Sequence, residues 1–281
     1  MFAYSINNHE ILWSAKENSI YGFSYDPGHS LLGVANFEAI SIRNVDTGQE
    51  EPPIVNRDFP ATQCIGRTDI KFFSDGSKIV TLESSFDTYD SQIYIWDETS
   101  EKCLGKLTER KGYAFDLHLS QDNNYLGIAL FSGRDDENRV SNYVQIWDLS
   151  DEKKICTYEN SGPMALSPDG KISASINIVN GNDIEIWDVR SCELIETIVR
   201  KPDNRPYSLD IDRKGELLAM GGENTIQIWR IEDQKLLFET ENLYNNVSNI
   251  RFSPDGKYLL SAIQRLSGND EGIITLWKII N

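Results

Sequence analysis

One segment recurs along this chain of 281 residues and constrains its fold more than any other feature. Each copy alternates apolar and polar residues and ends in a tryptophan, which an acidic residue usually follows. The tryptophans stand 40 to 51 residues apart, and such a period indicates a stack of identical supersecondary units. A weaker copy, AISIRNVDTGQE, has Arg43 in the tryptophan position. The five strong copies are anchored at Trp96, Trp147, Trp187, Trp229 and Trp277.

A second element precedes each of these six copies. It is a short alternating run, then a turn rich in Pro, Asp, Asn and Gly, then a second alternating run, which predicts a β-hairpin. The repeated Trp segment and the run after it (KICTY, ELIETI, KLLFET) add a third and a fourth strand. The six hairpins are YGFSYDPGHSLLGVA, DIKFFSDGSKIVTLE, FDLHLSQDNNYLGIA, GPMALSPDGKISASI, SLDIDRKGELLAMGG and SNIRFSPDGKYLLSA.

The SPDG-type hairpins and the -Ile-Trp-Asp- strand ends, recurring together at this period, resemble the WD-repeat (WD40) family over nearly the whole chain. The resemblance implies an all-β protein, a WD40-type β-propeller in which each four-stranded sheet forms one blade. Six blades are predicted, with seven as the alternative. Stacking is needed because one small sheet cannot bury both of its faces. The whole chain, 1–281, is predicted to be a single domain.

The last repeat stops after its third strand, and the N-terminal segment supplies a candidate for the fourth. HEILWSA matches the slot that KLLFET fills, so the N-terminal strand at about 9–15 is predicted to complete the last blade, 247–281. WD-repeat propellers commonly close in this way, and Ile11–Trp13 would then pair with Ile273–Trp277. Phe2–Ile6 also resembles a third strand. It is either a short lead-in or part of an incomplete seventh blade.

The longest insertions fall in two loop classes, those between second and third strands and those between repeats. In a propeller both classes lie at one edge of the blades, here called the upper edge, and loops on a rigid scaffold often carry function. Tyr and Arg are favoured interface anchors. The alternative is that each ring only fills a gap between blades. The predicted binding rim consists of Tyr21, Arg67, Tyr113, Phe115, Arg205 and Tyr207.

Composition narrows the classes of partner and compartment. The net charge of −17 opposes nucleic acid and anionic membrane surfaces, which bind concentrated Lys and Arg. No apolar run approaches a membrane span, and no signal peptide is recognisable. The four cysteines are widely spaced without a C-x-x-C motif, which favours free buried thiols over disulfides or a metal site. A cytoplasmic location is predicted.

The chain shows no motif of the common enzyme classes. Its histidines, His9, His29 and His118, are isolated in sequence, so no catalytic residue, metal site or cofactor is predicted. The expected function is that of a non-enzymatic scaffold that binds a protein or peptide, with a basic segment favoured by the charge. The alternatives are a propeller enzyme and a ligand-sensing domain of a larger protein. Fold analogy alone does not decide among them.

Overall fold

The protein is described by a computed structural model. It covers residues 2–5, 10–14, 20–26, 28–36, 40–51, 67–85, 90–97, 103–107, 112–134, 140–159, 162–177, 182–200, 204–240, 243, 246–264 and 273–279. Every regular element within these ranges is a β-strand. They contain no helix with the length and apolar composition needed to cross a bilayer.

The strands form one hairpin and six small antiparallel sheets, numbered here in chain order. The hairpin and the first three sheets have these strands: β1 Phe2–Ser5 and β2 Glu10–Ser14; sheet 1, β3 Ile20–Asp26, β4 Leu31–Asn36, β5 Ile40–Asn44 and β6 Glu50–Glu51; sheet 2, β7 Arg67–Phe72, β8 Lys78–Ser85, β9 Asp90–Asp97 and β10 Cys103–Lys106; sheet 3, β11 Tyr113–Leu119, β12 Tyr125–Arg134, β13 Val140–Asp148 and β14 Lys153–Glu159. The last three have these: sheet 4, β15 Met164–Leu166, β16 Ile172–Asn177, β17 Asp183–Asp188 and β18 Glu193–Ile198; sheet 5, β19 Pro206–Ile211, β20 Leu217–Gly222, β21 Ile226–Arg230 and β22 Lys235–Glu239; sheet 6, β23 Asn246–Phe252, β24 Tyr258–Gln264 and β25 Ile273–Lys278.

Each sheet follows chain order, so that neighbouring strands in sequence are neighbours in space. This is the meander expected of a propeller blade, and the predicted fold class, an all-β propeller with six blades, is confirmed. The chain forms two compact units, Met1–Leu117 and His118–Asn281. They are called unit 1 and unit 2 below, and each is described by itself. The prediction of a single domain over 1–281 stays a prediction.

The hairpin turns follow the predicted chemistry. Between the first and second strands of every sheet one residue has a positive φ, the left-handed region that tight turns require. Asp255 shows how the side chains support such a turn. Its carboxylate accepts hydrogen bonds from Ser253 Oγ at 2.6 Å and Lys257 N at 3.0 Å, and the bond from the Ser253 side chain does most to lower the pKa of Asp255 to about 2. The six positive-φ residues are Ser30, Gly76, Asn123, Gly170, Gly215 and Gly256.

Apolar side chains between consecutive sheets form the cores. In unit 1, Ile70 and Phe72 of sheet 2 pack with Ala35 and Ile42 of sheet 1. Gly33 permits this approach, because a Cβ at this position would lie 2.6 Å from Ile70 Cδ1. In unit 2 the corresponding clusters join sheet 4 to sheet 5 and sheet 5 to sheet 6. Burying each such Ile or Phe contributes about 1.5–3 kcal/mol, which is how sheets too small to fold alone become stable.

The N-terminal strand has a partner other than the predicted one. β2 pairs with β1, with Tyr4 opposite Ile11 and Ala3 opposite Trp13, and sheet 6 has three strands in the described part of the chain. The prediction that residues near 9–15 complete the last blade is therefore corrected: this strand belongs to a local hairpin. Pairing adjacent strands closes only a short loop, which carries a small entropy penalty.

The cysteine prediction is corrected as well. Cys156 of β14 and Cys192, in the turn between β17 and β18, form a disulfide with their Cα atoms 5.3 Å apart. Free thiols were expected because 36 residues separate the two cysteines and no motif connects them. The repeat brings them together, because the outer strand of sheet 3 lies beside that turn of sheet 4. Cys64 and the side chain of Cys103 lie outside the described residues.

Tyr158 provides a test of this packing. Its hydroxyl lies 2.9 Å from Ser173 Oγ, its ring stacks on Trp187 with centroids 4.2 Å apart, and burial raises its pKa to about 12. A raised pKa means that the folded state keeps the proton longer, so unit 2 loses stability as pH rises from about 10 to 12. We expect the absorbance titration of tyrosinate at 295 nm to show a late step that Tyr158→Phe removes. A titration in which the variant keeps that step would contradict the assignment.

Candidate functional site

Two of the predicted rim residues lie together at the upper edge of sheet 5, in unit 2. Arg205 is exposed, and its guanidinium carbon lies 5.7 Å from the centroid of the Tyr207 ring. This geometry allows a cation–π contact, which holds both side chains in one arrangement. The backbone beneath them is also held, because Glu223 N donates to Arg205 O at 2.9 Å. The pair presents an aromatic surface and a planar cation on a fixed backbone.

A buried arginine, which sequence reasoning missed, anchors the loop that carries this pair. Arg200 is 6% exposed and donates from Nη1 to Asn182 O at 2.9 Å and from Nη2 to Asn204 O at 2.8 Å. Burial lowers its pKa to about 10, against the attraction of Asp183 and Glu239, so it remains protonated at neutral pH. Its fork ties the loop before β17 to the linker that enters sheet 5.

The same linker packs tightly on the end of β20. A Cβ built on Gly222 would lie 2.3 Å from Asn204 Oδ1, so no larger residue fits at position 222 with Asn204 in place. Gly222 N donates to Thr225 O at 2.9 Å, which closes the turn into β21. Rigid loops preorganise a binding surface and reduce the entropy lost on association.

In unit 1 the start of β11 carries two more predicted residues, with different outcomes. Tyr113 is buried, 6% exposed, whereas Phe115 is 38% exposed. Ser91 fixes the strand between them: its Oγ accepts from Ala114 N at 2.8 Å and donates to Gly112 O. Phe115 thus exposes part of its ring, whereas Tyr113 lies in the core, which is the alternative that the sequence left open.

The remaining two predicted residues are placed only by their backbones. Tyr21 lies in β3, and Arg67 begins β7 opposite Ser84. Their side chains lie outside the described part of the chain. The structure thus brings Arg205 and Tyr207 together and puts Tyr113 and Phe115 on one strand. That all six residues form a single rim stays a prediction.

A partly buried carboxylate on the innermost strand of sheet 5 bonds to the innermost strand of sheet 6. Asp210 on β19 accepts a hydrogen bond from Phe252 N on β23 at 2.6 Å, and burial raises its pKa. Arg251 Nη1 donates to Leu209 O at 3.0 Å beside it. These bonds join the two sheets. Within the described ranges no cluster of three or more His, Cys, Asp or Glu side chains could hold a metal ion.

The six meander sheets define the class of this protein, a β-propeller, and comparison with known proteins agrees with it. Residues 238–278 match the WD40 family model, described as WD domain, G-beta repeat. This match runs from the end of β22 to the end of β25. The resemblance to the WD-repeat family is thereby confirmed.

Several WD-repeat relatives match longer parts of the chain. Periodic tryptophan protein 2 of Arabidopsis thaliana is 24% identical over 68% of this chain and 20% of its own length. The transcriptional corepressor LEUNIG_HOMOLOG of the same plant is 23% identical over 88% of this chain and 29% of its own. Eukaryotic translation initiation factor 3 subunit I of Phaeosphaeria nodorum is 33% identical over 24% of this chain and 20% of its own. The chain thus spans less than a third of the length of each of these three relatives.

Proposed function

We propose that this protein is a non-enzymatic scaffold that binds a protein or peptide through the upper edge of its blades. The observation that carries the proposal is the Arg205–Tyr207 pair, an exposed arginine with its guanidinium over a tyrosine ring, on a loop that buried Arg200 holds in place. Arginine and tyrosine are enriched among the residues that dominate binding energy. Phe115 is a second candidate anchor, on unit 1.

The relatives and the charge support a protein partner. Two of the relatives are named as a corepressor and as a subunit of an initiation factor, and both names describe proteins that act with others. The net charge of −17 disfavours phosphate backbones and favours a partner with basic residues. Glu223 and Glu239 are exposed on sheet 5, the same sheet as the Arg205–Tyr207 pair. We propose a segment with an aromatic or apolar anchor flanked by Lys or Arg.

The test is affinity capture with matched variants of the full chain. We expect Arg205→Ala with Tyr207→Ala to weaken capture of the specific partners by at least tenfold, about 1.4 kcal/mol, without loss of folding. The control is Arg213→Ala, which removes an exposed arginine from the turn at the opposite edge of the same sheet. Equal capture by both variants would remove the Arg205–Tyr207 pair from the binding surface.

A further inference from the structure

The N-terminal hairpin repeats the outer half of a blade. In sheets 3, 4 and 5 the register between third and fourth strands shifts beside the tryptophan, which leaves one extra residue on the fourth strand. The β1–β2 hairpin has the same shift: Tyr4 is opposite Ile11, Ala3 is opposite Trp13, and Leu12 is the extra residue. Tyr4 thus takes the tryptophan position. β1 corresponds to a third strand and β2 to a fourth.

The hairpin also packs on the next sheet as an outer half-blade does. In unit 2, the residue nine positions after the tryptophan of one sheet touches the residue five positions after the tryptophan of the next. Cys156 and Cys192 form the disulfide in this way, and Gln234 Nε2 donates to Glu196 Oε2 at 2.5 Å. Cys192 and Gln234, the residues five positions after a tryptophan, both have a positive φ.

Unit 1 contains the equivalent contact. Trp13, nine positions after Tyr4, lies against Gly48, five positions after Arg43. A Cβ on Gly48, whose φ is +71°, would lie 2.6 Å from Trp13 Cγ. Trp13 Nε1 also donates to Val45 O in the same turn. The hairpin therefore contacts sheet 1 through the same pair of positions that joins consecutive sheets in unit 2.

The inner position beside this hairpin carries two exposed aromatic rings. Phe23 and Tyr25 of β3, on the face of sheet 1 away from sheet 2, are 58% and 51% exposed. On the same face, Val34 of the second strand is fully buried. The residues that occupy the positions of Phe23 and Tyr25 on the first strands of sheets 2, 4 and 5 are at most 6% exposed: Ile70, Phe72, Met164, Leu166, Leu209 and Ile211.

We propose that β1–β2 is the outer half of a further blade, and that a two-stranded β-hairpin with inner-strand chemistry binds beside it on Phe23 and Tyr25. Such a hairpin alternates apolar and polar residues across a tight turn, like the first two strands of every other sheet. It would pair with β1, which has no second strand partner among the described residues, and its apolar face would cover the two rings. Strand addition satisfies an open edge with backbone hydrogen bonds.

The probe is a cyclised peptide of residues 246–264, the inner hairpin of sheet 6, because cyclisation reduces the entropy lost on binding. Titrated into the full chain, it should bind saturably and slow hydrogen exchange of the Phe2–Ser5 amides. Phe23→Asp with Tyr25→Asp should weaken binding at least tenfold. Both rings are more than half exposed, so these changes should leave folding intact, which circular dichroism checks. The control is Leu237→Asp, an exposed apolar position on β22, which should bind normally.

Three results would overturn the proposal. The first is no saturable binding of the peptide, and the second is binding that survives the Phe23 and Tyr25 changes. The third is a dimer of the chain that these changes dissociate, which would identify a second copy, instead of a hairpin, as the occupant. Slow exchange in the free protein of the β1 amides that do not bond to β2 would count against the proposal too, because it would show that another part of the chain already pairs with this edge.

Discussion

Replacing Cys156 and Cys192 together by serine is expected to lower the free energy of unfolding of unit 2 by about 3 kcal/mol. The disulfide closes a loop with a sequence separation of 36, and the chain-entropy estimate for a loop of this size is about 4 kcal/mol, of which measured bonds often realise less. The bond joins the outer edges of sheets 3 and 4, which are also held together by an apolar cluster that includes Met164 and Tyr158. The variant should therefore fold and unfold at lower urea.

Urea unfolding, followed by tryptophan fluorescence, measures this change. Dithiothreitol should destabilise the natural chain by a similar amount and should leave the double serine variant unchanged, which makes the variant its own control. Mass mapping of the non-reduced protein should join the peptides that contain the two cysteines. Free thiols at both positions together with unchanged stability would contradict the bond and restore the prediction made from the sequence.

The repeat made most of the fold predictable, but it does not predict contacts that depend on how the sheets stack. Period-2 alternation and turn residues predict strands because they act locally, and all six sheets follow from them. The Cys156–Cys192 contact joins two repeats, so it depends on how sheets stack. Neither cysteine carries a local signal of pairing, although the spacing of nine and five positions from the tryptophans now gives a rule for finding such contacts.

The N-terminal segment shows how an aligned pattern can leave pairing undecided. Phe2–Ile6 resembles a third strand and HEILWSA matches the slot of KLLFET, and the register of the β1–β2 hairpin agrees with both matches. The partner was wrong, because alternation specifies which side chains face the core but not which strand lies alongside.

The site was less predictable than the fold. The starts of the innermost strands singled out Tyr113 and Phe115, and both lie on β11, but Tyr113 is buried whereas Phe115 is exposed. Alternation puts both residues on one face of the strand and does not indicate this difference. Arg200 had the least signal. It lies in a polar loop where an arginine usually faces solvent, and its burial depends on carbonyl groups of two loops and on the carboxylates of Asp183 and Glu239, which come together only in the folded chain.

Arg200→Met is expected to destabilise unit 2 by about 3 kcal/mol, because it leaves two partly buried carbonyl groups without their donor. Asn182 O and Asn204 O each accept a charged hydrogen bond from this guanidinium, and leaving a buried acceptor unsatisfied costs about 1–3 kcal/mol. Methionine keeps most of the side-chain length and apolar volume, so a cavity contributes little. The stability of Arg200→Lys should lie between that of the natural chain and that of Arg200→Met, because an ammonium is a compact charge that lacks the planar fork of the guanidinium.

The matched control is Arg205→Met, a change to the exposed arginine five positions further along the same loop. Surface substitutions usually change stability by less than about 0.5 kcal/mol, so this variant should unfold like the natural chain while losing partner binding. Arg200→Met should show the opposite pattern. Its free energy of unfolding should be lower, but it should still bind the partner under conditions in which the loop stays folded. Urea midpoints and partner capture, measured on both variants, separate the two roles. Equal urea midpoints would show that the buried guanidinium does not hold the loop, and the rigid platform beneath Arg205 and Tyr207 would then need another origin.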